Sequence, residues 1–180
     1  MAKNIEIGSG GNPQPSYIHI DAYVDNNTRH LVDIVADARS LPFNDGEIDS
    51  VLMFGVFEHF GIFEASQVLL EISRVLKVGG KFKFDVPDFD WFIHAYLTGE
   101  DRITGLKLDP NRDMNWIMHA FYGGQENEGM FHKWGWNQKR LEEFLNKPNF
   151  EFSSIEFLGR QWRDPESNHL IYECTRGERK

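Results

Sequence analysis

The feature that most constrains the fold is a series of short apolar runs, each of which stops at a polar or structure-breaking residue or just before a glycine. The runs stop at Gly8, Asp21, Asp37, Phe54 and Pro87. Residues 48–54 are almost continuously apolar, which is typical of a parallel strand buried on both faces. From residue 63 to 78 the apolar positions instead follow the spacing of a helix. This alternation predicts an α/β protein with an open sheet.

The second half of the chain predicts more helices and a closing pair of strands. Helices are expected at 89–97, around 114–121 and over about 137–146, and strands near 152–158 and 169–175. The sheet should be mostly parallel, with an antiparallel strand at the C-terminus. Because 180 residues suit one core, we predict a single domain over 1–180, with a substrate-binding insertion at about 99–136.

Charge and cysteine content exclude several classes of function. The chain has 19 basic and 28 acidic residues and a net charge of −9, which disfavours nucleic-acid and anionic-membrane partners. The single Cys174 rules out an intramolecular disulfide and a cysteine-based zinc cluster. The seven histidines do not pair at i, i+4, so no metal site is predicted. With no apolar signal region or membrane-length run, we expect a soluble, cytoplasmic protein.

The strand ends carry residues suited to an adenosine ligand. In open α/β sheets, ligands bind outside the carboxyl ends of the strands. Glycines 8 and 10 flank Ser9 at the first strand end and would let the backbone approach a ligand closely. Asp21 would accept hydrogen bonds from ribose hydroxyls, and Asp37 with the backbone of Ala38 would bind adenine. Ordinary turn residues are the alternative interpretation of each position.

The loop after the first strand favours an adenosine ligand without phosphates. A pyrophosphate would need a helix N-terminus there, but Pro13 and Pro15 disfavour a helix. The third glycine of G-x-G-x-x-G is also missing. S-adenosylmethionine fits better, with Glu6 and the backbone of Gly8 and Phe54 binding its ammonium group.

Five ordered motifs between residues 4 and 88 give a specific resemblance. They occupy residues 5–12, 18–21, 37–43, 48–59 and 71–80. In these motifs the chain resembles the class I S-adenosylmethionine-dependent methyltransferases, close to the short type-11-like group. The resemblance implies a Rossmann-like sheet and a cofactor contact from Glu58. The segments after the first and second strands are short for full helices, so we expect reduced N-terminal helices. Residues 123–136 resemble a subgroup of predicted methyltransferases associated with surface-polysaccharide synthesis.

The chain departs from the family pattern in two further ways. Val78 stands where the family usually has proline before its two glycines. The helical extension that often covers the cofactor in the family has no counterpart before residue 4. We therefore expect a site that is open or is closed by a second subunit, as in a homodimer.

The acceptor side offers three candidates for the base that methylation of a hydroxyl requires. His132 is the preferred candidate, Asp88 could instead cap a helix, and His59 could instead shape the cofactor pocket. Nearby aromatic residues could stack on a sugar ring or pack the insertion onto the sheet. These aromatic residues are Phe121, Tyr122, Phe131, Trp134 and Trp136.

We therefore expect an enzyme that methylates a small-molecule or saccharide acceptor, at oxygen. Two alternatives remain open: a non-catalytic S-adenosylmethionine-binding subunit, and an NAD-dependent nucleotide-sugar oxidoreductase.

Overall fold

The structure is a computed structural model that describes residues 2–10, 13–25, 27–103, 105–109, 113–161 and 168–178. Gly11 and Asn12, which belong to the first motif, lie outside the described residues. The strands are β1 (Asn4–Ile7), β2 (Ile18–Asp21), β3 (Ile34–Val35), β4 (Ile48–Met53), β5 (Leu76–Pro87), β6 (Phe152–Gln161) and β7 (Asn168–Arg176). The α-helices are α1 (Ile62–Val75), α2 (Phe89–Thr98), α3 (Asp113–Tyr122) and α4 (Gln138–Leu145).

The strands form one sheet in the order β3-β2-β1-β4-β5-β7-β6. The pairs among β1 to β5 are parallel, whereas β7 runs antiparallel to both β5 and β6. The described residues between β1 and β2 contain no helix, and a single 3-10 turn, Arg29–Leu31, precedes β3. The predicted Rossmann-like sheet with reduced N-terminal helices is therefore confirmed.

Two predicted boundaries differ from the structure for local reasons. The apolar run 31–36 that ends before Asp37 forms a strand of only two residues, because Leu31 lies in the 3-10 turn and only Ile34 and Val35 pair with β2. Helix α1 ends at Val75 rather than at the predicted Val78, because Leu76 already has extended backbone and pairs with Ile48 of β4. The two glycines thus lie inside β5, next to a register shift in its pairing with β4.

The main core lies between the sheet and one face of α1. Ala65, Val68, Leu69 and Ile72 of that helix have no exposed surface, as the helical spacing of apolar residues predicts. A second, smaller core joins α2 to α3 through Trp91, Phe92, Ala95 and Ile117. Much of the predicted insertion therefore packs against α2, outside the main core.

An arginine on α1 holds the segment that follows β3. The Arg74 guanidinium donates to the carbonyls of Phe43 and Leu41, at 2.8 and 3.2 Å. Glu71 pairs with Arg74 and accepts the backbone N–H of Leu41 at 2.7 Å. Glu71 and Arg74, which belong to the motif at 71–80, thus hold the motif at 37–43 in place.

None of the helices in the described part of the chain is long and apolar enough to cross a membrane.

Burial of Cys174 gives a direct test of this packing. The residue has no exposed surface in β7, and burial raises the pKa of its thiol to about 12. We expect a water-soluble disulfide reagent to leave the native protein unlabelled at neutral pH, and to label one thiol per chain after unfolding in guanidinium. Stoichiometric labelling of the native protein would contradict the buried position of Cys174 in β7.

Candidate active site

A cavity of about 620 Å³ lies at the carboxyl ends of the first four strands. Its walls contain five residues predicted to bind the cofactor, contributed by three separate strand ends. These residues are Gly8, Gly10, Asp21, Asp37 and Ala38. They are distant in the chain, but the structure brings them to one cavity, as the prediction of a shared adenosine site requires. Their convergence follows from the parallel order of β1, β2 and β3.

The glycine loop forms the floor of this cavity. Gly8 has a φ of +72°, and its N–H donates to the carbonyl of Ile20 at 2.7 Å. A Cβ on Gly8 would lie 2.2 Å from Cγ2 of Val56, so a side chain there would collide with the opposite wall. The next residue, Ser9, is buried, and its Oγ has no hydrogen-bond partner among the described residues.

Asp21 stands at the end of β2, where its carboxylate lines the cavity. One oxygen accepts the backbone N–H of Tyr23 at 2.9 Å, and the other lies 3.4 Å from the N–H of Gly10. Both bonds come from the backbone and fix the carboxylate beside the glycine loop. This position is suited to binding a pair of neighbouring hydroxyl groups.

Asp37 already has a partner in Arg39, which the sequence interpretation missed. The guanidinium of Arg39 donates to both carboxylate oxygens, at 2.6 and 2.9 Å, and also to Glu64 at 2.7 Å. Arg39 holds the pKa of Asp37 below its usual range, so this acid is ionised at neutral pH. A ligand amine would therefore share the carboxylate with Arg39.

The other residues predicted to bind the cofactor lie around the cavity rather than in its walls. Glu6 is buried beneath the glycine loop, and its carboxylate accepts the backbone N–H of Gln14 at 2.7 Å. Phe54 is half-buried, and the wall at the end of β4 is formed by the next two residues, Gly55 and Val56. Glu58 is buried behind this wall.

Glu58, His59 and His132 lie together beyond β4, in what we call the Glu-His cluster. Nε2 of His132 lies 4.0 Å from a carboxylate oxygen of Glu58, and the two imidazole rings are 4.8 Å apart. His59 lines the cavity, and His132 packs against it. Nδ1 of His132 is bonded to the carbonyl of Ala120 at 2.8 Å, so that nitrogen carries the proton and Nε2 the lone pair.

Burial shifts every titration in the Glu-His cluster towards the neutral form. It raises the pKa of Glu58 to about 8, with a further contribution from the charge of Asp85. It lowers the pKa of His132 to about 4, and it lowers that of His59 despite the carbonyls of Phe131 and Gly55 beside its ring. Both histidines are therefore neutral at pH 7.

The sequence interpretation also missed Asp85 of β5, which contacts the turn after β4 beside the cluster. Its carboxylate has no exposed surface; it accepts the N–H of Gly55 at 2.7 Å and is bonded to Nδ1 of His169 at 2.9 Å. Burial opposes a charge on His169, but the bond to Asp85 and the charges of Asp85 and Glu58 together outweigh it and raise the pKa of the imidazole. An acid inside the apolar run of β5 was the signal that could have found this residue.

Asp88, the second candidate base, is engaged elsewhere. It occupies the N-cap position of α2 but makes no side-chain capping bond, so the predicted capping contact is absent there. Instead its buried carboxylate accepts from Nε of Arg160 at 2.9 Å. Asp88 and Arg160 thus form an ion pair that joins the start of α2 to β6.

Residues 127–133 cover one side of the cavity and pack directly on the loop after β2. A Cβ on Gly129 would lie 2.4 Å from the Tyr23 ring, and the N–H of Lys133 donates to the carbonyl of Glu58 at 2.9 Å. The chain's own insertion thus provides cover where the sequence left an open site or a second subunit as the expectation. Trp136 of this region is buried against Phe57, whereas Tyr122 and Phe131 are exposed.

Comparison with known proteins agrees with this geometry. Residues 14–84 match the family model described as a methyltransferase domain. No curated protein matches the chain in sequence.

Solved structures of low sequence identity share the fold over nearly the whole chain. An S-adenosylmethionine-dependent methyltransferase from Methanosarcina mazei is 16% identical, with a TM-score of 0.61 over 98% of this chain and 93% of that one. A possible histamine N-methyltransferase from Thermotoga maritima is 15% identical, with a TM-score of 0.59 over 98% and 83%. The 1,6-didemethyltoxoflavin-N1-methyltransferase of Burkholderia thailandensis, solved with S-adenosylhomocysteine, is 14% identical, with a TM-score of 0.60 over 98% and 72%.

The contact between Gly8 and Val56 can be tested against a matched glycine. Gly46 also has a positive φ, +64°, but a Cβ there would meet nothing within 4 Å. We expect Gly46→Ala to lower the free energy of unfolding by about 1–2 kcal/mol through backbone strain alone. Gly8→Ala should cost about 1–3 kcal/mol more, because it adds the collision with Val56.

Urea unfolding of the two variants measures this difference directly. In a Val56→Ala background, which removes the colliding methyl group, the cost of Gly8→Ala should fall to that of Gly46→Ala. Equal costs for the two glycines in the parent protein would mean that the loop and the end of β4 are not in contact.

Proposed function

We propose that the chain is a class I S-adenosylmethionine-dependent methyltransferase that methylates an oxygen of a small or carbohydrate-like acceptor, because residues 14–84 match a methyltransferase-domain model and the fold is shared with solved methyltransferases. The observation that carries the proposal is the single cavity that three strand ends line with a glycine loop and two acids. The acceptor oxygen would have to lie in line with the methyl group, beyond the ends of β4 and β5.

The residues present fit S-adenosylmethionine, which supplies a reactive methyl group on a sulfonium when bound. Gly8 and Gly10 give a floor without side chains, and the unpartnered Oγ of Ser9 is available for a hydrogen bond. We assign Asp21 to the ribose hydroxyls, and Asp37 with Ala38 to the adenine. The described residues after the loop, 13–17, contain no helix whose N-terminus could hold a pyrophosphate, which favours this cofactor over NAD.

We assign supporting roles to the predicted cofactor-binding residues that lie around the cavity rather than in its walls. Glu6 would hold the glycine loop in place through Gln14, and Phe54 would precede the backbone turn that forms the wall. Glu58 would act through the Glu-His cluster rather than by touching the adenosine.

His132 is the base that we propose for a hydroxyl acceptor. Its neutral imidazole has Nδ1–H fixed on the carbonyl of Ala120, so the lone pair of Nε2 is available to accept a proton. Asp88 is the less suitable candidate because its carboxylate is paired with Arg160, and we assign it a positioning role.

The segment that covers the cavity adds polar side chains to its lining. Asn127, Glu128 and Lys133 line the cavity together with Tyr23, and these groups would suit an acceptor that carries several hydroxyls. This lining supports the carbohydrate-like class. The cytoplasmic location and the homodimer stay predictions from the sequence.

Calorimetric titration tests the cofactor assignment. We expect the folded protein to bind S-adenosylmethionine and S-adenosylhomocysteine at one site per chain, and not to bind NAD. Transfer of a labelled methyl group to members of a saccharide panel would then identify the acceptor class. Binding of NAD with no binding of either sulfur ligand would overturn the proposal.

Asp21 is the side chain whose loss should weaken cofactor binding most specifically. Asp21→Asn keeps an oxygen for the Tyr23 N–H but removes the charged acceptor. We expect the Kd for S-adenosylhomocysteine to rise by about 10- to 150-fold, as loss of about 1.5–3 kcal/mol from charge-assisted hydrogen bonds implies.

The matched control is Asp49→Asn. Asp49 lies near the amino end of β4, at the opposite edge of the sheet, where it pairs with Lys77 and the backbone of Lys3. Its substitution should leave the Kd unchanged. An equal effect of both substitutions, or none at Asp21, would place the ribose elsewhere.

A further inference from the structure

The fold brings three metal-ligand side chains together at a place where the sequence predicted no metal. Glu58, His59 and His132 each offer one ligand atom, and these three atoms lie within 4.8 Å of one another. Glu58 and His59 follow β4, whereas His132 comes from the insertion, far along the chain. No local spacing could have revealed the group, because its third member arrives only through the tertiary fold.

The distance between His132 and Glu58 suits a shared cation better than a direct hydrogen bond. Nε2 of His132 and the nearest oxygen of Glu58 are 4.0 Å apart, which is too long for a hydrogen bond. Two ligands at about 2.1 Å from a tetrahedral ion lie roughly 3.4 Å from each other. A small inward movement of the two side chains would therefore place both on one ion.

The histidines are held in the way that metal-binding histidines usually are. Nδ1 of His132 is fixed on the carbonyl of Ala120 at 2.8 Å, and Nδ1 of His59 pairs with the carbonyl of Phe131 at 3.0 Å. Backbone carbonyls of this kind orient the ring and set its tautomer in metal sites.

Glu58 supplies an independent reason to expect a ligand. Its side chain is 3% exposed, and its Oε2 has no hydrogen-bond partner among the described residues. A buried carboxylate oxygen without a partner is costly, and a cation would satisfy it.

We propose that Glu58, His59 and His132 bind one divalent transition-metal ion beside the wall of the cavity. Two imidazoles and one carboxylate favour zinc, cobalt or nickel over magnesium and calcium, which prefer oxygen ligands. Three protein ligands leave a position open, as in metal sites that bind a substrate.

The open position gives the ion a role in the reaction, and this part of the inference rests on the proposed function. His59 belongs to the cavity wall, so an acceptor hydroxyl at the wall could become a ligand of the ion. Coordination would lower the pKa of the hydroxyl, and its proton would leave to solvent. With the ion bound, Nε2 of His132 is a ligand and cannot accept the proton of the acceptor. The ion would then activate the acceptor hydroxyl in place of His132.

Metal titration of the full chain, first treated with a chelator, tests the site. Zinc, cobalt and magnesium are titrated separately by calorimetry, and the cobalt complex is also followed by its visible absorption. We expect one zinc or cobalt ion per chain and no comparable binding of magnesium. Glu58→Gln and His132→Gln should each weaken zinc binding at least about tenfold, as the effects of altered ligand environments on metal affinity suggest.

The control variant is His94→Gln, which changes a half-buried histidine on α2. It should bind zinc as the parent does. Thermal unfolding of each variant tests whether its fold is intact. The cobalt spectrum of the parent protein tests the site even if a variant fails to fold. No zinc or cobalt binding by the parent, or equal affinity in the parent and His132→Gln, would overturn the proposal.

A titration with S-adenosylhomocysteine in the same samples separates this inference from the proposed function. Retained cofactor binding without metal binding would remove the metal site alone. Loss of cofactor binding in the parent protein would instead remove the proposed function.

Discussion

The buried carboxylate of Asp85 is the interaction on which both halves of the site depend. It joins the turn after β4, through the N–H of Gly55, to His169 at the start of β7. Because Asp85 has no exposed surface, its charge is stabilised only by such partners, and removing one partner of a buried pair typically costs about 3–5 kcal/mol. The same charge contributes to the high pKa of Glu58. One acid in the middle of the sheet thus shapes the cavity wall and the electrostatics of the cluster behind it.

The two sides of the site are built in different ways. On one side, parallel strands bring glycines and acids to a common edge, and the Arg74 contacts hold the segment after β3 against α1. On the other side, the insertion supplies His132 and the segment that covers the cavity. The first side is built from local motifs and strand order. The second depends on contacts between distant parts of the chain.

That difference explains what the sequence could and could not predict. The apolar runs and their stops predicted the sheet and the positions of Gly8, Asp21 and Asp37, because strand ends in a parallel sheet meet at one edge. The partner of Asp37, the ion pair of Asp88 and the approach of His132 to Glu58 depend on side-chain packing between remote segments. Such contacts carry no periodicity or local spacing, so sequence patterns predict them poorly. The apolar pattern likewise did not predict that β3 has only two residues.

Hydrogen–deuterium exchange with and without S-adenosylhomocysteine tests the central claim most directly, since it reports where along the backbone the ligand binds. The account predicts that the ligand slows exchange in four separated segments at one sheet edge: 7–10, 21–24, 36–39 and 55–60. It predicts no change around the groove between α4 and β6, which residues 152–155 line with Glu142 and Tyr172. Protection confined to that groove, or spread evenly over the chain, would contradict it.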